Sequence, residues 1–265
     1  MRIKVYHIDS FTDQLFQGNP ACVVPLKTWP SDDLLLKIAK ENALPETAFF
    51  IKDKDKFQLR WFTPDIEMDL CGHATLAAAY CIKEIHNHTE NKILFDTLSG
   101  ELVVTKENAL YELDLPRRMP AKSLLPEEIK RALNIQPKEV LKSRDLLLVY
   151  NTQKEIEKII IDRHQFDKIN LGTGGVIVTA KGEDCDFVSR FFTPQSTILE
   201  DPVTGSAHCS LTPFWSNRLK KNKLIAKQIS SRSGILYCED KVDRVFVSGK
   251  ARLYSIGEIR LEQPF

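Results

Sequence analysis

Apolar and polar residues alternate in short runs along much of the chain, a pattern typical of strands that bury one face. In the first half, such runs cover residues 3–9, 21–26, 47–52, 57–63, 93–96, 100–105 and 110–115. One segment has the longer period of a helix, because its apolar side chains from Leu34 to Ala39 fall on one face. This segment predicts a helix that begins at Ser31 or Asp32 and continues to Asn42.

The second half repeats this mixture of strands and helices. The pattern predicts strands at residues 145–151, 156–161, 174–179, 187–192, 235–238, 243–248 and 251–260. Pro126, at a first helical turn, favours a short helix that ends at Leu133. Two further runs, 74–83 and 207–219, are compatible with longer helices.

A proline-flanked basic stretch, Leu115–Pro120, lies near the middle of the chain and has the character of a linker. It divides the chain into an N-terminal lobe, residues 1–117, and a C-terminal lobe, residues 118–265. Each half contains several strands, one longer helix and a shorter one. We therefore expect an α+β protein with two similar lobes.

The sequence also repeats itself once, at an offset of about half its length. The pentapeptide Arg60–Pro64 returns in similar form as Arg190–Pro194, which is 130 residues later. Two further landmarks follow each copy in the same order, Cys71–Thr75 and Leu98–Leu102 in the first half, Thr204–His208 and Ser233–Tyr237 in the second. Coincidence between aromatic strand ends is the alternative, but three matched landmarks favour an internal duplication. Residues 60–83 and 190–219 should then follow the same strand–turn–helix path.

Each copy places a glycine at the start of a predicted helix, Gly72 in the first half and Gly205 in the second. A helix N-terminus presents unpaired N–H groups and a partial positive charge, and a glycine lets a ligand approach the backbone closely. Either glycine alone is more typical of a tight turn. The repeated pair favours a binding site for the carboxylate of a small substrate.

Two carboxylates accompany these helix starts. Glu46 stands between a proline and an apolar strand, and Asp201 lies four residues before Gly205. A carboxylate beside apolar walls can exchange protons near neutral pH, as general acid/base catalysis requires. Each could equally be an ordinary turn or capping residue. The combination of one carboxylate and one glycine-led helix per half, with His73 and His208 beside the helix starts, favours a catalytic site.

Composition and charge narrow the functional classes. The 265 residues carry 37 basic and 36 acidic side chains, so neither nucleic acid nor an anionic membrane is an expected partner. No run approaches the roughly 18 apolar residues of a membrane helix, and the N-terminus continues into a strand-like pattern rather than a signal peptide. The six cysteines match no zinc or haem spacing. We expect a cytosolic, disulfide-free protein without a metal site.

Five segments together resemble the PhzF-like isomerase family of phenazine biosynthesis: Phe16–Ala21, Glu46–Phe49, Arg60–Pro64, Cys71–Thr75 and Glu200–His208. The resemblance extends from about residue 3 to residue 260. It implies the fold that this family shares with diaminopimelate epimerase, in which each lobe is a mostly antiparallel sheet rolled around a central helix and the active site lies between the lobes. It also implies cofactor-independent isomerisation by proton transfer, and a homodimer.

By position, the resemblance makes Glu46 the general acid/base. It makes His73 and Asp201 polar catalytic residues that position the substrate or relay protons. The candidates for binding the substrate, including its carboxylate, lie at or beside the helix starts and are Gly72, Gly205, Ser206, Cys71 and Thr204.

Two departures from the family pattern bear on the reaction. Residues 194–200 lack the glycine that many members have before Glu-Asp-Pro, which leaves the loop shape and the substrate open. The related epimerases use two thiols, one before each helix-start glycine, whereas this chain has Cys71 at one position and Thr204 at the other. A two-thiol racemase is therefore disfavoured. The alternatives are a racemase or epimerase that uses Cys71 with a different partner, and a catalytically idle binding protein that retains the fold.

Overall fold

The computed structural model describes residues 2–261, and the contacts within the chain divide it into two compact units. The first unit comprises the described residues up to Asp114 and from Ser248 onward, and the second unit is Leu115–Val247. The sequence division into 1–117 and 118–265 differs from this one chiefly at the C-terminal end. The last strand pairs with the first, so the chain returns to the first unit before it ends.

The first unit is a mostly antiparallel sheet with two helices. Its elements are β1 (Arg2–Ser10), β2 (Asn19–Leu26), α1 (Asp32–Asn42), β3 (Glu46–Asp53), β4 (Lys56–Phe62), β5 (Glu67–Met68), α2 (Gly72–Tyr80), β6 (Lys92–Thr97), β7 (Gly100–Glu107) and β8 (Leu110–Pro116). A turn of π-helix, Cys81–Ile85, extends α2. The parallel pairs are β2–β3 and β4–β6, and the antiparallel pairs include β1–β2, β3–β4, β4–β5, β6–β7 and β7–β8.

The second unit has the same kind of sheet. Its elements are β9 (Ala121–Lys122), α3 (Glu127–Ala132), β10 (Glu139–Lys142), β11 (Leu146–Val149), α4 (Gln153–Glu157), α5 (Arg163–Phe166), β12 (Val176–Lys181), β13 (Phe187–Phe192), β14 (Glu200–Asp201), α6 (His208–Leu219), β15 (Lys223–Gln228), β16 (Gly234–Lys241) and β17 (Arg244–Gly249). A 3₁₀ turn, Gly205–Ala207, leads into α6. Strands β11–β12 and β13–β15 pair in parallel, and β10–β11, β12–β13 and β15–β16 pair antiparallel. Finally, β18 (Ala251–Arg260) lies antiparallel to β1 in the first unit.

Local sequence explains α1 well. Ser31 caps the helix by accepting a hydrogen bond from the backbone N–H of Leu34, and Asp32 and Asp33 occupy the first turn, where negative charge is favourable. The helix buries Leu35, Ile38 and Ala39 and ends where Ala43 adopts a left-handed conformation. The helix predicted from Ser31 or Asp32 to Asn42 is confirmed.

The longer helices, α2 and α6, are buried on almost every side. Eight of the nine residues of α2 are buried, and the helix packs against β1, β2 and β3. Small side chains such as Ala77 and Ala78 let the strands approach this closely. In the second unit, α6 is buried from His208 to Ser216 and packs against β15 and β16. The predicted α+β class is confirmed, with a mostly antiparallel sheet and one buried longer helix in each unit.

The strand predicted at 156–161 is wrong. Thr152 and Glu155 form a reciprocal capping box that starts α4, and Ile156 points from this helix into the core. The apolar positions Ile156 and Ile159 are buried, whereas Ile160 is 69% exposed, a spacing that suits a helical turn and not a strand. Only Ile161 keeps a strand-like contact, an isolated bridge to Leu133.

Within residues 2–261, no helix combines the length and the apolar character that crossing a membrane would need.

Candidate active site

Glu46 is the first residue of β3 and lies opposite Ala21 of β2 in the parallel pair. Its side chain is 13% exposed, and its Oε2 lies 3.0 Å from Nε2 of His73. Neither of these two atoms has another hydrogen-bond partner among residues 2–261. The carboxylate and the imidazole therefore depend on each other inside the first unit.

His73 is held from several directions. Its Nδ1 lies 3.0 Å from the side-chain amide nitrogen of Asn19 and 3.5 Å from Sγ of Cys71, and its backbone carbonyl accepts a hydrogen bond of 2.7 Å from Ser10 Oγ. With the amide nitrogen of Asn19 donating to Nδ1, the ring proton is placed on Nε2, toward Glu46. If the Asn19 amide turns over, its oxygen can accept a hydrogen bond from a protonated Nδ1 instead, so the same neighbours suit both charge states of the ring.

The charge states of this cluster follow from burial and proximity. Burial alone lowers the pKa of His73, but the interactions of the ring with Cys71 and Glu46 outweigh this effect and hold the pKa well above its ordinary value. Burial, reinforced by Glu46, raises the pKa of the Cys71 thiol to about 11. The thiol is therefore protonated near neutral pH, and Glu46 is the partner that favours a charged imidazole there.

Three atoms that could bind a metal, one each from Glu46, Cys71 and His73, all lie within 4.8 Å of one another. A small cation could fit between them. Both ring nitrogens of His73 already have partners, the side chain of Asn19 at Nδ1 and the carboxylate of Glu46 at Nε2. The arrangement therefore favours a hydrogen-bonded acid/base cluster over a metal centre.

In the second unit, Asp201 lies on β14 next to β13, and its Oδ2 accepts a hydrogen bond of 2.5 Å from Thr204 Oγ1. Gln228 fixes this turn, because its amide nitrogen donates to the Asp201 carbonyl at 2.7 Å and its amide oxygen accepts from the Thr204 N–H at 2.8 Å. Gln228 is fully buried. Asp201 and Thr204 are thus brought together as one hydrogen-bonded turn.

The two helix starts share two local features, although Gly72 begins an α-helix and Gly205 begins a 3₁₀ turn. The residue before each glycine, Cys71 or Thr204, has an extended backbone and does not cap the helix with its side chain. In both units the carbonyl of this residue accepts a hydrogen bond from the side chain four residues later. Thr75 Oγ1 donates to Cys71, and His208 Nδ1 donates to Thr204. The N–H groups at these starts are therefore not occupied by the side chain of the residue that precedes the glycine.

The same ion pair precedes each helix start. Nε and Nη2 of Arg60 bond both carboxylate oxygens of Glu67 at 2.7 Å, and Arg190 bonds both oxygens of Glu200 at 2.7 and 2.9 Å. Cys71 comes four residues after the first glutamate, as Thr204 does after the second. This matching makes Cys71 and Thr204 counterparts and extends the repeat seen in the sequence.

The two candidate carboxylates, Glu46 and Asp201, do not occupy corresponding positions in the two units. In the first unit, Glu46 comes just before Thr47, which pairs with Phe62. In the second unit, Val176 pairs with Phe192, so the residue at the position of Glu46 is Gly175. A Cβ on Gly175 would lie 2.4 Å from the ring of Phe191, so this position has no room for a side chain. Conversely, Asp201 corresponds to Met68 of β5. Each unit therefore offers one of the two predicted carboxylates, from a different place in the shared pattern.

The structure thus groups Glu46, Cys71 and His73 in the first unit, and Asp201 with Thr204 in the second. Three contacting residues were not predicted as site residues: Asn19, Gln228, and Arg144, whose Nη2 lies 3.1 Å from Ser206 Oγ. Asn19 belongs to Phe16–Ala21, one of the segments that carry the family resemblance, and this membership could have marked it as a site residue. Arg144 and Gln228 stand in stretches with no motif, so only the folded chain reveals them.

Comparison with known proteins decides the family. The sequence profile described as "Phenazine biosynthesis-like protein" matches residues 8–257. The chain belongs to this family. A relative named as an uncharacterized isomerase of Pseudomonas aeruginosa is 44% identical over 262 residues, which cover 98% of this chain and 100% of the relative. A human phenazine biosynthesis-like domain-containing protein is 34% identical, with 98% of this chain and 99% of the relative covered.

Solved structures agree with the sequence comparison. The crystal structure of a PhzF-family protein from Enterococcus faecalis matches with a TM-score of 0.93 and 42% identity, covering 98% of this chain and all of that one. A hydroxyproline epimerase from Agrobacterium vitis matches with a TM-score of 0.63 at 9% identity, covering 99% of this chain and 94% of that one. The second likeness shows the fold alone. The resemblance found in the sequence, and the epimerase-like fold that it implied, are confirmed.

Proposed function

We propose that this protein is an isomerase that moves a proton on a small carboxylated substrate, with Glu46 as the general acid/base. The observation that supports this most strongly is the buried contact between Glu46 and His73, whose Oε2 and Nε2 lie 3.0 Å apart. A carboxylate held by a group with a raised pKa can take a proton and release it again without changing its position.

One proton moves in the proposed reaction. The Glu46 carboxylate removes a proton from a substrate carbon, and the electron pair of the broken C–H bond is delocalised toward neighbouring unsaturated groups. The same proton then forms a new bond at another atom of the substrate, which restores the carboxylate. His73 stays bonded to Glu46 and limits the change in charge at the carboxylate during both steps.

Asp201 has a binding role in this proposal and is not the proton carrier. Held by Thr204 and Gln228, it positions a polar group of a substrate. We propose that the helix starts at Gly72 and at Gly205, the latter with Ser206, each bind anionic groups, since helix N-termini bind anions. We also propose that the repeated landmarks are an internal duplication and that the protein is a homodimer, as the resemblance implies.

Proton exchange tests the proposed function directly. We expect the protein to incorporate deuterium from deuterium oxide into at least one member of a panel of small amino-bearing carboxylic acids, measured by mass spectrometry. A heat-unfolded sample of the same protein is the control for spontaneous exchange. Binding of panel members without any exchange would instead support the idle binding protein.

The racemase alternative makes a different prediction for Cys71. Because its thiol is protonated and its counterpart is Thr204, we expect Cys71→Ser and Cys71→Ala to keep turnover within about tenfold of the wild type, whereas loss of a general acid/base costs about 10²–10⁴-fold. Cys81→Ala is the matched control, since Cys81 is another fully buried thiol of the first unit. Loss of all turnover in both Cys71 variants, but not in the control, would support a Cys71-dependent racemase.

A further inference from the structure

The segment before β11 packs against the start of α6 through two polar contacts. Nη2 of Arg144 donates a hydrogen bond of 3.1 Å to Ser206 Oγ, and Ser143 Oγ lies 2.6 Å from Ser210 Oγ. Ser206 and Ser210 are one helical turn apart, and both are buried. The guanidinium of Arg144 is therefore fixed beside the residue that follows Gly205.

A neighbouring carboxylate accepts hydrogen bonds from only two of the three guanidinium nitrogens of Arg144. Nε and Nη2 lie 3.2 and 3.3 Å from the two oxygens of Asp145, which is almost fully buried and also accepts a hydrogen bond from the backbone N–H of Gly175. Nη1 of Arg144 is buried as well, yet within residues 2–261 no acceptor bonds it. A buried charged donor without an acceptor is costly, and a ligand oxygen would satisfy it.

A second arginine adds positive charge at the same place. The backbone N–H of Arg118 donates to the carbonyl of Cys209, and Nη1 of Arg118 is also buried with no bonded acceptor in the described part of the chain. Burial raises the pKa of the Cys209 thiol to about 11, while the charges of Arg118 and Arg144 act to lower it and that of Asp145 acts to raise it. Two guanidinium groups and one carboxylate thus lie close enough to the Cys209 thiol to affect its pKa, and together they carry one net positive charge.

From these contacts we propose that Arg144, supported by the charge of Arg118, binds the carboxylate of the substrate at Ser206. Guanidinium N–H groups match the planar geometry of a carboxylate, and a buried setting strengthens the bond. In the first unit, the residue after the helix-start glycine, His73, already lies 3.0 Å from a carboxylate of the chain, that of Glu46. Within the described residues, Nη1 of Arg144 has no such partner. The site at Ser206 therefore selects substrates with an acidic group over those with an amide in its place. The identity of the ligand as the substrate rests on the proposed function.

Binding of benzoate and of its uncharged analogue benzamide tests this site without any turnover. We compare the wild type with Arg144→Lys and with the double variant Arg144→Met/Asp145→Asn, which removes both members of the ion pair and leaves no unpaired buried carboxylate. Arg131→Met, at an exposed position of α3, is the matched control. Unfolding curves and circular dichroism establish that each variant is folded.

By calorimetric titration, we expect the wild type and Arg131→Met to bind benzoate at least about tenfold more tightly than the double variant, a difference of about 1.4 kcal/mol. The affinity of Arg144→Lys for benzoate should fall between these values, because lysine keeps the positive charge but lacks the paired N–H donors of the guanidinium. Benzamide should bind all proteins equally weakly. Equal affinity of the wild type and the folded double variant for benzoate would overturn the proposal, as would a wild type that prefers benzamide or fails to bind benzoate.

The outcome is separable from that of the proposed isomerase. If benzoate binding depends on Arg144 but no acid in the panel exchanges a proton, the anion site stands and the isomerase proposal fails. If exchange occurs and benzoate affinity is indifferent to Arg144, the isomerase proposal stands and the anion site fails.

Discussion

Replacement of Glu46 by Gln should abolish turnover while leaving substrate binding nearly intact. The amide keeps the shape of the side chain, and its oxygen can still accept a hydrogen bond from Nε2 of His73, which lies 3.0 Å from Oε2 in the native protein. It cannot take up a proton from carbon at neutral pH. Because removal of a general acid/base typically lowers rates about 10²–10⁴-fold, we expect kcat to fall by that factor and the dissociation constant to change little.

The experiment measures kcat and substrate affinity for Glu46→Gln on any acid that the wild type is found to convert. Glu41→Gln is the matched control, because it makes the same substitution on the exposed face of α1. Its kinetics should equal those of the wild type. A loss of activity in the control would point to general damage rather than to a specific proton carrier.

Asp201→Asn distinguishes the two carboxylates. If Asp201 positions the substrate, its amide variant should be impaired less than Glu46→Gln and chiefly in affinity, because Thr204 and Gln228 still hold the turn. Wild-type turnover in Glu46→Gln together with its loss in Asp201→Asn would reverse the roles assigned to the two residues.

The elements that local sequence determines were predictable. The Ser31 cap and the following acidic turn start α1, and the two glycines at Gly72 and Gly205 mark the starts of the helical segments that hold α2 and α6. The error at 156–161 has a local cause as well. Three consecutive isoleucines favour a strand by composition, and the capping box of Thr152 and Glu155 prevailed over that preference.

The candidate site was only partly predictable, because its contacts join distant parts of the chain. The sequence marked Glu46 and His73 separately, but their pairing depends on β3 starting beside α2. It gave no sign of Arg144, which no motif surrounds and whose partner, Ser206, is 62 residues away. The absence of a second base at Gly175 is likewise a matter of packing against Phe191, and a glycine in a turn-like sequence does not reveal such packing.

His208 should make the protein sensitive to acid through a single buried ring. Its Nδ1 lies 2.9 Å from the carbonyl of Thr204, its ring packs beside that of Phe187, and its Nε2 is buried with no bonded partner in the part of the chain that the structure describes. Burial lowers the pKa of His208 to about 4, and the hydrogen bond to Thr204 offsets only part of this effect. The ring is therefore neutral in the native state at pH 7.

The direction of the pH dependence follows from the difference between the pKa of His208 in the native state and in the unfolded chain. In the unfolded chain a histidine has a pKa of about 6.5, so between pH 6.5 and about 4 the unfolded state binds a proton that the native state does not. The contribution of His208 to stability is complete above pH 6.5 and is lost as the pH falls through this window. At 1.36 kcal/mol for each pH unit, the loss reaches about 3 kcal/mol by pH 4. His73 has the opposite sign: its raised pKa favours the native state below pH 6.5, and that contribution is lost as the pH rises through the native pKa.

Denaturant unfolding of the wild type and of His208→Gln at several values between pH 7 and pH 4 measures this effect. The glutamine can still donate to the Thr204 carbonyl but does not titrate, so we expect a variant that is less stable at pH 7 and whose free energy of unfolding falls about 3 kcal/mol less than that of the wild type on acidification. His164→Gln is the control, because His164 is exposed and should leave the wild-type pH dependence unchanged. Parallel curves for the wild type and His208→Gln would show that the buried ring does not cause the acid sensitivity.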